Sequence, residues 1–237
     1  MQLSLPHLVT EVQSSLLPRL RLESVVPYDP VVVNHTPSPW YCIGTGNYAA
    51  VFAHPDYPQW VIKVYAPGRP GWQDEVEVYR RLGAHPAFSE CLYAEPSFLI
   101  LRRLVGVTLW DCVVQGQYIP RSVIADIDRA LDSIRDRGLN PHDVHGRNVM
   151  MHNGRGMVVD VSDFLKPDEC LAWNDLKRAY FWIYRPLFSW LPLRLSQRGL
   201  HTVRAVYRQY RRWRAGFRFM VFKLAPRSSN PDSDRDR

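Results

Sequence analysis

The eleven residues NPHDVHGRNVM, from Asn140 to Met150, hold two histidines, two asparagines, an aspartate and an arginine. Reactive polar groups packed this closely suit three chemistries: a metal site, a nucleic-acid contact or a phosphoryl-transfer loop. For a metal, His142 and His145 flank Asp143 in an HxxH spacing that can bind zinc. No third and fourth ligands follow at helical spacing, as they do in HExxH, so the histidines read better as a polar loop. For phosphoryl transfer the spacing is more telling. Asn148 follows Asp143 by five residues, and Asp160 follows twelve further on, at the end of the strand-like run GMVVD. An aspartate able to accept a proton, an amide oxygen and a second carboxylate make a metal-nucleotide site, because Mg2+ takes a few hard oxygen ligands and completes its shell with phosphate and water. The chemistry then needs mainly positioning and charge stabilisation.

Matching groups stand earlier in the chain. In IGTGNYAAVF, residues 43 to 52, Gly44 and Gly46 lie between strand-like flanks, with Val51 five residues further on. Glycines let a hairpin backbone approach phosphates with no side chain in the way. Lys63 follows in the apolar run VIK, where a strand lysine facing a cleft can hold phosphate oxygens as a point charge. A lysine in such a place needs an opposite charge. The next helical stretch offers Glu75 and Glu77, of which Glu75 is better placed beside a packing stripe of Val76, Tyr79 and Leu82. Each group alone also has an ordinary reading, as a turn glycine, an edge-strand lysine or a surface glutamate. Their order is what makes a constellation.

The elements that must position these residues are legible in outline. Leu5, Leu8, Val12, Leu16 and Leu17 recur at helical spacing, which predicts an amphipathic helix over residues 1 to about 22. A proline-punctuated link with a short VVV strand follows. YCIGTGNYAAVFAHPDYPQWVIKVY reads as strand, turn, strand, turn, strand. GWQDEVEVYRRLG reads as a three-turn helix stopped by Gly83, and LYAEPSFLILRRL as two more strands. Beyond Gly106 the pattern is helical through VTLWDCVVQGQ and RSVIADIDRALDSIRDRG, then loop, strand, and mostly helix to about residue 224. Strands first and helices later predict an α+β, two-lobed fold with a cleft between the lobes. The divisions expected are an N-terminal helix and extension over 1–38, an N-lobe over 39–104, a C-lobe over 105–224 and a disordered polar tail over 225–237.

Composition sets bounds on function. With 237 residues, 46% of them hydrophobic, the chain can bury real cores. Cys42, Cys91, Cys112 and Cys170 are far apart with no CxxC pair, which argues against a zinc cage or disulfide framework and fits a cytoplasmic setting. MQLSLPHLVTEVQ has no secretory pattern. The most membrane-like run, AYFWIYRPLFSWLPLRL (residues 179 to 195), is broken by Arg185, Pro186 and Pro192 and is too short to span a bilayer. It reads as buried helix and turn, with peripheral contact at a membrane surface as the lesser alternative. The net charge of +7 is uneven: residues 185 to 237 carry 13 Lys/Arg against 3 Asp/Glu, the remainder 17 against 20. The run from Arg204 to Phe219 would therefore attract a polyanion, nucleic acid or anionic lipid, or else be a solvated helix face.

GxGxxAxV, VIK, a helix glutamate, DxxxxN and a strand-end aspartate stand in the order of the protein-kinase-like fold, throughout residues 43 to 175. The chain resembles a small, atypical bacterial serine/threonine protein kinase. It is similar in size to RIO-type and other minimal kinases, with aminoglycoside phosphotransferases more distant. The resemblance implies ATP and Mg2+ as cofactors and a protein hydroxyl, its own included, as acceptor. It gives Lys63 the α/β-phosphates and Glu75 as partner, and makes Asp143 the catalytic-loop base or hydroxyl-orienting group. Asn148 and Asp160 become metal ligands, with Asp163 as a rival to Asp160. Ile43, Gly44, Gly46 and Val51 would cover the nucleotide, and the backbone of Arg102 and Leu104, in the hinge LILRRL, would meet adenine. Asp175 in WNDLKRAY would anchor the catalytic loop. Departures from the pattern are Ala49 for the third glycine, Pro141-His142 before the aspartate, and His145 where a lysine is usual, with Arg147 as the substitute cation. Only 14 residues separate Asp160 from Asp175 and no Ala-Pro-Glu segment occurs, which bears on the acceptor more than on the nucleotide. A small-molecule kinase, and a nucleotide-binding pseudokinase with a basic C-terminal segment, are the alternatives.

Overall fold

The N-terminal half is built on a five-stranded antiparallel sheet whose two faces are both covered. A computed structural model describes residues 4–26, 29–190 and 209; the basic run from Arg204 to Phe219, Gln209 apart, and the tail over 225–237 lie outside the described residues. The sheet consists of β3 (Tyr41–Thr45), β4 (Ala49–Ala53), β5 (Trp60–Tyr65), β7 (Phe98–Arg102) and β6 (Cys91–Glu95), in that spatial order. Between β5 and β6 lies α2 (Trp72–Leu82), ended by Gly83 at φ 59°, a left-handed position where glycine costs least.

Successive side chains on a strand point to opposite faces, and here each face has its own core. Ala50, Phe52, Ile62, Val64, Phe98 and Ile100 pack outward with Leu8, Val12, Leu16 and Trp40. Ala49, Val61, Tyr65, Leu99 and Leu101 pack inward with Val78, Tyr79 and Leu82 of α2 and with the helical half. The outer layer is α1 (Leu5–Glu11), which continues through a π-helical turn at Val12–Leu16, and a two-stranded ribbon of β1 (Arg21–Glu23) and β2 (Val32–His35). The predicted helix to residue 22 thus stops early: Pro18 follows, and Arg21–Glu23 pair as a strand with β2.

The C-terminal half begins with β8 (Val107–Thr108), which pairs with β9 (Val149–His152). β9 forms a hairpin with β10 (Arg155–Val158). Its two-residue turn, Asn153-Gly154, has φ 49° and 73°, the left-handed pair that matches strand twist. Around this small sheet stand α3 (Leu109–Gln115), α4 (Arg121–Arg135), α5 (Ala172–Ala179), a π-helical turn (Tyr180–Tyr184) and α6 (Arg185–Trp190). Helix α3 is capped by Thr108, whose side chain accepts from the Asp111 N–H. Helix α4 buries Val123, Ile124, Ile127, Ala130, Leu131 and Ile134. Its buried Asp126 accepts from Arg155 Nε (2.7 Å) and Gly156 N (3.2 Å), fastening helix to hairpin.

Candidate active site

Lys63 faces the cleft because Val61 and Tyr65, its neighbours two residues away on β5, belong to the inner core. Its side chain is 12% exposed, and its ammonium lies 2.9 and 2.7 Å from the two oxygens of Glu75, which is 1% exposed on α2. The same ammonium reaches Asp160 Oδ1 at 3.3 Å, across 97 residues of sequence. Burial opposes the Lys63 charge, but Asp160 and Glu75 outweigh it and hold the amine protonated far above the ordinary lysine range. Burial pushes the Glu75 carboxyl up and Lys63 pulls against that rise, while Tyr65 donates a further hydrogen bond to Glu75. Glu77, the sequence alternative, points outward and pairs with Arg80 and Arg81. The inner stripe of α2 is Glu75, Val78, Tyr79 and Leu82; Val76 is only half-buried.

Asp160 sits two residues beyond the end of β10 and not on the strand itself. Burial would raise its carboxyl, yet Lys63 and hydrogen bonds from Ser162 prevail and hold it below the usual aspartate range. The rival Asp163 turns elsewhere, to Lys166 (2.8 Å) and His142 (3.7 Å). In the loop, Asn148 donates its amide to the Asp143 carbonyl (3.1 Å), which leaves its amide oxygen as an acceptor. Asp143 takes a left-handed φ of 55°, and its N–H donates to Cys170 Sγ (3.3 Å). Partial burial lifts the Asp143 carboxyl above the ordinary range, against the pull of His145, whose Nε2 lies 3.7 Å away; Asp163 and Asp160 add to the rise. The histidines therefore pair with separate aspartates. Among the described residues no group of three or more His, Cys, Asp and Glu is placed to hold a metal.

These groups border one cavity of about 510 Å3. Of the residues singled out in the sequence, Ile43, Gly44, Gly46, Val51, Lys63, Arg102, Leu104, Arg147, Asn148 and Asp160 line it. Glu75 stands behind Lys63, and Asp143 lies off the wall, joined to it through Asn148. The two glycines have no positive φ; what they offer is room, since a Cβ at Gly44 would meet nothing within 4 Å. At the hinge, the Arg102 N–H donates to Glu90 (2.9 Å) and its carbonyl accepts from Ser89 Oγ (2.6 Å), so only one carbonyl lone pair remains for a base. Leu104 makes no backbone hydrogen bond among the described residues. The Arg147 guanidinium lies 4.3 Å from the ring centre of Trp110, which holds it at the cavity edge. Asp175, in the first turn of α5, pairs with Arg178 (3.4 Å), and Leu176 of the same helix comes within 3.6 Å of where a Gly146 Cβ would stand. Tyr65, Ser162, Cys170 and Trp110 escaped the sequence reading, because each touches the site through a hydrogen bond or ring contact that no spacing announces.

No protein-family model matches the sequence. Among solved structures the chain is similar to Rad53 1-466 in complex with AMP-PNP (TM-score 0.42, 17% identity, 51% of this chain and 36% of that one). It is also similar to a variant of the Mycobacterium tuberculosis PknI kinase domain (TM-score 0.42, 22% identity, 60% of this chain and 63% of that one). Among curated proteins it matches one named "Putative serine/threonine-protein kinase YrzF", from Bacillus subtilis (strain 168). The two are 31% identical over 150 residues, which cover 62% of this chain and 70% of the Bacillus protein. With that much of the Bacillus protein covered at that identity, the chain belongs to the same protein-kinase-like family.

Proposed function

We propose that the chain transfers the γ-phosphoryl group of Mg-ATP to a hydroxyl, with serine or threonine of a protein, itself included, as the acceptor. The observation behind this reading is the reach of Lys63 to Glu75 and Asp160 together, in a cavity that Asn148 also lines. The donor set suits Mg2+: Asp160 brings a carboxylate held ionised, Asn148 an amide oxygen, and the space at Gly44 leaves room for phosphates. When bound, Mg2+ neutralises phosphate oxygens and raises the electrophilicity of the phosphorus. Lys63, kept cationic, holds phosphate oxygens while Glu75 fixes its position. Asp143 takes the proton of the attacking hydroxyl as the new O–P bond forms and ADP leaves. Arg147, steadied by Trp110, stabilises charge on the transferred group. The reading takes the reducing cytoplasm as the setting, where free thiols such as Cys42 and Cys91 persist.

The test is transfer of labelled γ-phosphate to the purified chain and to a whole-cell extract, wild type beside Lys63→Ala. Label on serine or threonine with wild type, and none with the variant, is the expected result. Equal labelling by both proteins would remove Lys63, and the site with it, from the reaction. A second reading draws on the shortness of the span between Asp160 and α5, residues 161 to 171, which offers little chain for a peptide platform. Label appearing in a small molecule and in no protein would select that reading, and nucleotide binding with no transfer would select a pseudokinase.

A further inference from the structure

Helix α5, the π-helical turn and α6 run continuously from Ala172 to Trp190, and one narrow stripe fastens the later turns to the body. Tyr180 and Tyr184 stack at 5.5 Å, Tyr184 and Phe188 lie at 5.2 Å, and the two tyrosine hydroxyls bond the backbone of Ile119 at 3.0 Å each. The opposite side is apolar and open: Trp182 is 81% exposed, Ile183 59%, Leu187 50% and Phe181 38%. Cations border it. The Arg121 guanidinium lies 5.7 Å from the Phe181 ring, Arg185 is exposed on the same helix, and Arg178 is 67% exposed although paired with Asp175. Residues 191 to 237, which follow directly, carry 12 Lys/Arg against 3 Asp/Glu.

We propose that this face docks on an anionic membrane surface, with the aromatic and aliphatic side chains at the level of the headgroups and the arginines on lipid phosphates. Exposed apolar patches rimmed by polar groups mark interaction sites, and charge decides which kind. A second copy meeting the patch across a two-fold axis would bring the bordering arginines of both copies, Arg178 and Arg185 among them, into one interface. Nucleic acid would satisfy the arginines and stack on Trp182, but it offers nothing to Ile183 and Leu187. An anionic bilayer accepts both halves of the pattern, since Trp, Ile and Leu enter the interface while basic side chains gain from its negative potential. No helix among the described residues is long and apolar enough to cross a membrane, so the contact lies along the surface.

The full chain is to be floated with vesicles of phosphatidylcholine alone, and with vesicles of phosphatidylcholine mixed with phosphatidylglycerol. Binding is expected only to the mixed vesicles, weakening with added salt, and the pair W182S/I183S should reduce it about tenfold or more. An unchanged thermal midpoint in that variant shows the loss to come from the surface; if the variant melts early, W182A serves in its place. Flotation of the variants equal to wild type overturns the proposal. So does binding to poly(U) RNA without binding to vesicles, and so does a wild-type dimer that W182S/I183S turns into monomer.

Discussion

Changing Tyr65 to phenylalanine removes one oxygen from the site and leaves the ring, which fills 4%-exposed space against the inner core, in place. No cavity is made, so the cost is that of a lost hydrogen bond rather than of lost packing. The bond runs from a buried hydroxyl to a buried carboxylate, a class worth about 1.5–3 kcal/mol, and without it the Glu75 carboxylate is left to Lys63. For a chain of this size that corresponds to a melting midpoint lower by roughly 3–12 °C, readable by circular dichroism. Turnover should fall as well. Burial already lifts the Glu75 carboxyl and the Tyr65 hydroxyl opposes that rise, so Tyr65→Phe lifts it further. A growing protonated fraction then loosens the hold on Lys63, and small misplacements of a positioning group cost up to ~100-fold in rate. The wild-type-to-variant rate ratio should therefore widen as pH falls. A midpoint and a pH–rate profile both equal to wild type would show that Tyr65 only fills space.

Asp143→Asn should lower turnover far more than nucleotide affinity, measured as single-turnover rate beside equilibrium binding. Because the Asp143 carboxyl is raised in the fold, the acid limb of the wild-type rate profile should lie above the ordinary aspartate range. The stability sign follows from the same shift: an ionised Asp143 is disfavoured in the folded state, so the variant should be at least as stable as wild type at neutral pH. That advantage should vanish in acid, below the unfolded-state value. Gly156→Ala should destabilise by about 1–3 kcal/mol, since its Cβ would stand 2.6 Å from the Val123 carbonyl, a backbone atom that cannot swing away; thermal unfolding checks it.

The order of the constellation is what put Lys63 in the cleft from sequence, and the alternation of β5 fits it, since Val61 and Tyr65, two residues to either side, lie in the inner core. Helical spacing likewise separated Glu75 from Glu77, although the stripe it joins uses Val78 where the sequence suggested Val76. Local patterns carry such information because each face is repeated within a few residues. Contacts that join distant elements leave no such trace. Tyr65 reads as a strand aromatic, and nothing in its neighbourhood says that its hydroxyl meets Glu75. Cys170 reads as a lone thiol until the fold brings it against the Asp143 N–H. At the hinge, the strand end was clear in LILRR, but the grip of Ser89 and Glu90 on Arg102 depends on a separate segment arriving alongside. The amphipathic pattern of the first residues was visible too, but which surface it covers was not.

That surface is the back of the sheet. Leu8, Val12 and Leu16 close over Phe52, Ile62 and Ile100, immediate strand neighbours of Val51, Lys63 and Leu101 on the cavity side. Amide protons in the central strands should consequently exchange only when the opening helix detaches or the whole molecule unfolds. Trimming the chain back to its glycine hairpin would peel away half of a laminate, and the water that entered behind Lys63 would be felt in front of it.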